Sequence, residues 1–319
     1  MKIISIVGPT AVGKTSFALE AARLILQEKK YTGIDLISAD SRQVYQGLEI
    51  ISGADVPDDF ISSQDKDLEF SFFQKDKIRL HGVSIVPPEQ NWSVGHFQQL
   101  AFEVIALAKK QQRLVMIIGG TGLYHEQLLN TDPVLRIKPD EKIRKKAAKL
   151  SVEDLQIWLK KINPARFEKM NNSDRHNSRR LVRAIEVSLA SLESSQSQLS
   201  EQHQQVFVGL KQDLGFIEAK IKERVKKRLS QESIEEVKKL QKETSNWSLP
   251  VFSALGFKEL ASYLMEECSL DECSELWALH ELQYARRQLT WWKNKKITWF
   301  ELGNQEWKQQ AFVYILGLC

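Results

Sequence analysis

The residues of this chain most able to do chemistry lie close to its start, in Gly8-Pro9-Thr10-Ala11-Val12-Gly13-Lys14-Thr15. They fit G-x-x-x-x-G-K-[ST], a loop whose glycines allow a tight turn and whose backbone N–H groups converge on phosphate oxygens. A helix starting at Lys14 would add the positive end of its dipole. Lys14 is then placed to reach a terminal phosphate, and the Thr15 hydroxyl to sit on Mg²⁺. The motif has the setting it needs, with the apolar run Ile3–Val7 before it and Phe17, Ala18, Ala21, Leu24 and Ile25 at helical spacing after it. The loop does not say whose phosphates it holds. Proteins that hydrolyse ATP usually carry a metal-holding acid at the end of a second strand, whereas Leu114–Ile118 runs into Gly119-Gly120-Thr121-Gly122. A phosphate ester or diphosphate handled without activated water fits this better, and small-molecule kinases stay open.

A carboxylate, Asp40, follows the apolar strand Asp35–Ala39 on the sheet edge that also carries the phosphate loop. Near Lys14 it would stay ionised and could act as a general base toward an acceptor docked opposite the phosphates. The competing reading is an N-cap for the turn Ser41-Arg42-Gln43.

The elements that must position these groups are legible as alternation. Expected buried strands are Lys2–Val7, Asp35–Ala39, Val83–Val86 and Leu114–Ile118, separated by the amphipathic stretches Thr15–Lys29 and Phe97–Lys110. After Pro133 the pattern turns all-helical, with helices expected at Glu141–Leu150, Val152–Ile162 and Asn177–Leu192 and a Ser/Gln-rich connection over Ser188–Gln205. Strand character returns at Gln205–Leu210. Helices follow, the later ones over Ile234–Glu243, Ser253–Glu267 and Ser274–Trp291, and a last strand pair, Ile297–Leu302 and Gln310–Leu316, is expected to close the sheet. The fold class is therefore α/β. A parallel-sheet core like that of P-loop NTPases (1–130 and 206–319) carries an inserted helical domain (131–205).

Composition narrows the setting. The chain has 319 residues, 42% hydrophobic and 27% charged, enough for a full core. The apolar run at the N-terminus is far shorter than the ~20 residues that span a bilayer, so no membrane association is expected. Cys268, Cys273 and Cys319 suggest neither a disulfide framework nor a zinc site, and the cytoplasm is the expected compartment. The net charge is +4, but Arg136–Glu186 holds 15 Lys/Arg against 7 Asp/Glu, a local +8 that leaves −4 elsewhere. Positive charge gathered into one stretch is the footprint of a polyanion-binding surface, with a solvated helical face as the alternative.

Six segments in order resemble the tRNA dimethylallyltransferases, also called tRNA isopentenyltransferases. These are GPTAVGKT (Gly8–Thr15), ISADSRQVYQGLEI (Ile37–Ile50), IGGTGLY (Ile118–Tyr124), RRLVRAIEV (Arg179–Val187), ALGFKEL (Ala254–Leu260) and QYARRQLTW (Gln283–Trp291). The resemblance implies a P-loop that holds dimethylallyl diphosphate and a helical insertion that grips the anticodon stem, with adenosine 37 flipped into the protein. It implies Asp40 as base on the adenine N6, Ser41, Arg42 and Gln43 around the flipped nucleotide, and Thr121 against it. Lys14 and Arg224 would support the diphosphate. Arg144 and Arg179-Arg180-Leu181-Val182-Arg183, with Arg286 and Arg287, would meet tRNA. Mg²⁺ on Thr15 is the implied cofactor, and a monomer is expected. The chain departs from the family pattern at Ile51-Ser52-Gly53-Ala54-Asp55, where a Gly-Thr-Ala-Lys stretch is usual. It departs again at His81-Gly82-Val83 and at Trp291-Trp292. Alternatives are a P-loop small-molecule or nucleoside kinase, an adenylate isopentenyltransferase, and an RNA-binding protein with a vestigial P-loop.

Overall fold

In the computed structural model the described residues are 1–54, 56–129, 134, 137, 139–190, 203–244, 246–247 and 249–319. They fall into two compact units, one within 1–129 and 202–319, the other within 130–201. Asp55, Pro133 and Arg136 lie outside the described residues, as does 191–202 of the expected Ser/Gln-rich connection.

The larger unit is built on an eight-stranded sheet in the order β3-β4-β5-β2-β6-β1-β7-β8. Its strands are β1 (Lys2–Val7), β2 (Ile34–Ser38), β3 (Ile61–Ser63), β4 (Phe72–Lys75), β5 (Ile78–His81), β6 (Leu114–Ile118), β7 (Gln204–Lys211) and β8 (Thr298–Glu301). β1 lies parallel between β6 and β7, and β2 parallel between β5 and β6. β2 and β6 are buried at every residue, as central strands covered on both faces must be, and so they read as unbroken apolar runs. Helices α1 (Lys14–Gln27), α2 (Glu49–Ser52), α3 (Val94–Lys110) and α4 (Gly122–Gln127) belong to the first half of this unit. The two hydrophobic clusters that pack against the sheet hold Ile3, Ile37, Val115 and Ile117 in one and Ile4, Ile6, Leu36 and Met116 in the other, the period-2 division of each strand.

The smaller unit contains α5 (Glu141–Ala147), α6 (Val152–Ile162), α7 (Pro164–Lys169), α8 (Asn172–Arg175) and α9 (Ser178–Leu189). Ser151 and Asp154 form a capping box at the start of α6, and the Asn163 and Asn177 side chains cap α7 and α9. Its own core is Ala147, Leu155, Leu159, Phe167, Leu181, Ala184 and Ile185. The chain then supplies the larger unit with α10 (Leu214–Arg228), α11 (Gln231–Glu243), α12 (Phe257–Leu264), α13 (Leu270–Trp292) and α14 (Trp307–Leu318). Among the described residues no helix is long and apolar enough to cross a membrane.

Four expectations need correction. The strand expected at Val83–Val86 is instead Ile78–His81; Val83 and Val86 are buried, but Gly82 and Ser84 take positive φ of 78° and 49°, which breaks the ladder. The sheet is parallel except at one edge, where β3 pairs antiparallel with β4 and β4 with β5 through a two-residue turn at Asp76-Lys77. Gln310–Leu316 is helical, because Ala311 and Ile315 bury one face at i, i+4 while Val313 stands exposed. Cys268 and Cys273 are joined by a disulfide across the start of α13, so they are a bonded pair and not two free apolar side chains.

Candidate active site

The phosphate loop leaves β1 at Gly8, whose φ of 148° and close approach exclude a side chain, since a Cβ there would come within 2.3 Å of the Leu210 carbonyl oxygen in β7. Gly13, at φ 88°, turns the chain into α1. Lys14 folds back over the loop and donates from Nζ to the Pro9 carbonyl at 2.7 Å. Arg224, from α10, donates to the Thr10 hydroxyl at 2.6 Å and pairs with Glu281 of α13. The Lys14 ammonium feels two charges of opposite sign. Burial first and Arg224 second, opposed by Asp40, lower its pKa to about 7. The sequence-predicted Lys14, Arg224 and Asp40 therefore share one site, together with the loop Gly8–Thr15.

Asp40 follows β2, where the capping reading of it holds. Its Oδ1 accepts from the Arg42 and Gln43 backbone N–H groups at 2.8 and 3.3 Å, so it does cap the turn. Each carboxylate has a second oxygen for other work. Ser41 donates no side-chain bond of its own here; its carbonyl accepts from Arg42 Nη1 at 2.6 Å. The Gln43 amide is occupied within the fold: its oxygen accepts from Ser38 Oγ at 2.9 Å and its nitrogen donates to the Gly53 carbonyl at 2.5 Å. Gln43 therefore shapes this turn, with one amide hydrogen and one oxygen lone pair committed to it.

Thr121 closes the other side. The Gly119-Gly120 turn folds against β2, with the Thr121 N–H donating to the Ala39 carbonyl at 3.1 Å. The Thr121 hydroxyl is buried and lies within hydrogen-bond reach of the Tyr284 side chain. Beside it stands Tyr284, whose hydroxyl is pushed up to about 12, by burial first and then by the Asp40 charge, against the Thr121 and Gln288 side-chain hydrogen bonds and the Arg42 charge.

Sequence reasoning took Arg286 and Arg287 from α13 and missed its inward face. Both arginines are exposed, with the Arg287 guanidinium 5.7 Å from the Tyr284 ring centre. The inward residues Trp277, Glu281, Tyr284 and Gln288 recur at i, i+4 or i, i+3, which puts them in one line along the helix. Gln288 links the two halves of the site: its Oε1 accepts from the Thr10 N–H at 2.7 Å and its Nε2 donates to the Gly120 carbonyl at 3.0 Å. A Cβ on Gly120 would stand 1.9 Å from that nitrogen. The helical spacing within QYARRQLTW was the available signal for this face.

Within the helical unit the basic stretch is partly spoken for. Arg144 and Arg183 pair with the buried Glu186 at 2.8 and 3.3 Å, and Arg180 pairs with Asp174. Arg179 and Arg180 are exposed. Leu181, expected at a tRNA surface, is fully buried in the unit's core and Val182 packs against that core, because α9 turns these positions inward with Ala184 and Ile185. His81, the remnant of a departed motif, pairs with Asp35 at 3.0 Å; burial would raise the Asp35 carboxyl, but His81 and Arg113 hold it below its usual value. This pair is scaffold.

The lowered Lys14 value has a kinetic consequence. Only the protonated amine attracts a diphosphate, so kcat/KM for an anionic donor, which reports the free enzyme, is expected to fall as pH rises above about 7. Bound phosphate favours the ammonium, so kcat should hold to higher pH. Parallel declines of the two would remove Lys14 as their cause.

The chain is 31% identical to a tRNA dimethylallyltransferase of Bacillus pumilus, over 99% of this chain and 95% of that protein. It is also 31% identical to a tRNA dimethylallyltransferase of Moorella thermoacetica, over 94% of this chain and 90% of that one. The crystal structure of the tRNA isopentenylpyrophosphate transferase from Bacillus halodurans superposes with a TM-score of 0.65 at 27% identity, covering 99% of this chain and 96% of that one. The family model described as IPP transferase matches residues 43–295, a span that takes in the Gly119–Gly122 turn, Arg224 and all of α13. On that match the chain belongs to the IPP transferase family.

Proposed function

We propose that this protein transfers a dimethylallyl group from dimethylallyl diphosphate to N6 of adenosine 37 in tRNA, acting as a monomer in the cytoplasm. The observation that carries the reading is that Lys14 and Arg224 both hydrogen-bond to the phosphate loop, at Pro9 and Thr10, with the Asp40 carboxylate near enough to act on the same ammonium. In the reaction a bond forms between N6 and the allylic carbon while the carbon–oxygen bond to the diphosphate breaks. The exocyclic N–H proton passes to Asp40, and the charge left on the diphosphate meets Lys14, the loop amides and Arg224. The buried Thr121 hydroxyl, beside the Tyr284 side chain, supplies a hydrogen bond for the flipped base, and Tyr284 walls the same side. Flipping costs a few kcal/mol, least for a loop base that is already unpaired.

Thr15, partly exposed at the start of α1, offers the hard oxygen that suits Mg²⁺, an ion that keeps waters and substrate phosphates as its other ligands. When bound there, the ion would neutralise charge on the leaving diphosphate.

The exposed Arg179 and Arg180 are the arginines of the helical unit offered to tRNA phosphates; Arg180 pairs with the partly exposed Asp174, whereas Arg144 and Arg183 are tied to the buried Glu186. Reversing both to glutamate is expected to reduce the slope of log affinity against log salt by roughly 1.4–1.8, because each phosphate contact contributes ~0.7–0.9. An unaltered slope would mean that this face meets no phosphate. The activity itself is tested by incubating the protein with labelled dimethylallyl diphosphate and bulk tRNA. Label in RNA is expected; consumption of ATP without label in RNA would favour a kinase.

A further inference from the structure

Glu281 is a carboxylate buried on α13 to 3% exposure, with no part in the steps above. Its Oε2 accepts from Arg224 Nη2, the same nitrogen that donates to the Thr10 hydroxyl at 2.6 Å. Its Oε1 accepts from the Trp277 indole N–H at 3.2 Å and faces Arg228 Nη1 at 3.6 Å. A charge at this depth is costly unless it is opposed and hydrogen-bonded, and here both oxygens are engaged. Arg228 is itself fixed against the acceptor side, since a Cβ on Gly53 would fall 1.6 Å from Arg228 Nη2, and the Gly53 carbonyl accepts from Gln43. The carboxylate therefore sits between a guanidinium on the phosphate loop and one against Gly53, at the end of α2, whose carbonyl accepts from Gln43 of the turn that follows Asp40. Arginine is long and rotamer-rich, and an anion that had to order it on arrival would lose affinity for that reason.

We propose that Glu281 is a positioning residue of the donor site: it holds the Arg224 guanidinium against the phosphate loop, so that the leaving diphosphate meets a cation already in place. This rests on the reading of the loop as a diphosphate site. It makes a prediction opposite in sign to simple electrostatics. A buried negative charge close to an anion site should weaken anion binding, and its removal should tighten it; a lost anchor should weaken it.

The test is a double-mutant cycle with Glu281→Ala and Glu281→Gln, each alone and combined with Arg224→Ala. Two quantities are measured: the affinity for inorganic diphosphate with Mg²⁺ by calorimetry, and kcat/KM for dimethylallyl diphosphate at saturating tRNA. Glu281→Ala is expected to lower both by about tenfold when Arg224 is present and by less than about twofold when it is absent. Glu281→Gln keeps an oxygen that can accept from Arg224 and should lose only about threefold. Equal losses in the two backgrounds, no loss at all, or tighter diphosphate binding would overturn the proposal. If Glu281→Ala does not fold, Glu281→Gln in the two backgrounds makes the same comparison. A parent protein that binds diphosphate yet prenylates no tRNA would defeat the proposed function, while the calorimetric cycle would still decide the role of Glu281.

Discussion

Asp40→Asn is expected to lower the rate of prenyl transfer by about 10²–10⁴-fold, the range that a positioned general base contributes, with tRNA affinity unchanged to within roughly twofold. Asparagine is the informative substitution because Asp40 does two things. Its Oδ1 caps the turn through the Arg42 and Gln43 N–H groups, and an amide oxygen can still do that. An amide cannot take the N6 proton. Asp40→Ala removes both functions and should add a stability loss of about 1 kcal/mol, the usual worth of a capping side chain, to the same loss of rate. Single-turnover transfer to an anticodon stem-loop, with denaturant melts of both variants, separates the effects. Full turnover by Asp40→Asn would take the proton-accepting role away from this residue.

Lys14→Met is expected to cost about 10²–10³-fold in transfer rate and to weaken donor binding, because one preorganised charge is removed from the leaving diphosphate. Its effect on the fold should run the other way. The folded state lowers the Lys14 pKa from 10.5 to about 7, so the native protein binds this proton less readily than the unfolded chain does. That unfavourable contribution is absent well above pH 10.5, grows as pH falls toward 7, and is constant below it. Replacing the amine with an uncharged side chain of similar length should therefore leave stability at neutral pH equal or higher. An inactive variant that melts no earlier than the parent meets both halves of this expectation. Loss of stability at neutral pH would show that the ammonium is needed by the fold.

The parts of the structure legible in the sequence are those that depend on burial from both faces or on a local motif. β1, β2, β6 and β7 announce themselves because central strands are continuous apolar runs, and the phosphate loop because its glycines and Lys-Thr pair are contiguous. The legible part ends where tertiary pairing decides. Val83–Val86 is as apolar as a strand and as buried, yet its backbone turns, and the ladder falls on Ile78–His81. The β3–β4 edge is short and half exposed, and Asp76-Lys77 is not a pair that announces a hairpin. Ala311–Leu316 carries β-forming residues but packs with helical spacing, and nothing local distinguishes the two.

The site divides in the same way. Lys14 and Asp40 were recognisable because each follows an apolar strand on the same edge of the sheet, and Thr121 through the resemblance carried by IGGTGLY. Gln288 and Glu281 were not, since their partners Thr10, Gly120 and Arg224 lie far away in sequence. Leu181 was misplaced for a related reason. A basic segment looks like a surface as a whole, but a helix turns every third or fourth of its residues inward.

The central claim is that one site joins a diphosphate in the Gly8–Thr15 loop to a base whose amine faces Asp40. A crystal structure of the protein with an anticodon stem-loop and the unreactive thiolo analogue of dimethylallyl diphosphate tests it most directly. The account predicts diphosphate oxygens within hydrogen-bond distance of the loop amides and Lys14, and the Asp40 carboxylate within about 3 Å of the flipped adenine N6. A diphosphate bound away from the loop, or an Asp40 separated from the amine by more than one water, would contradict it.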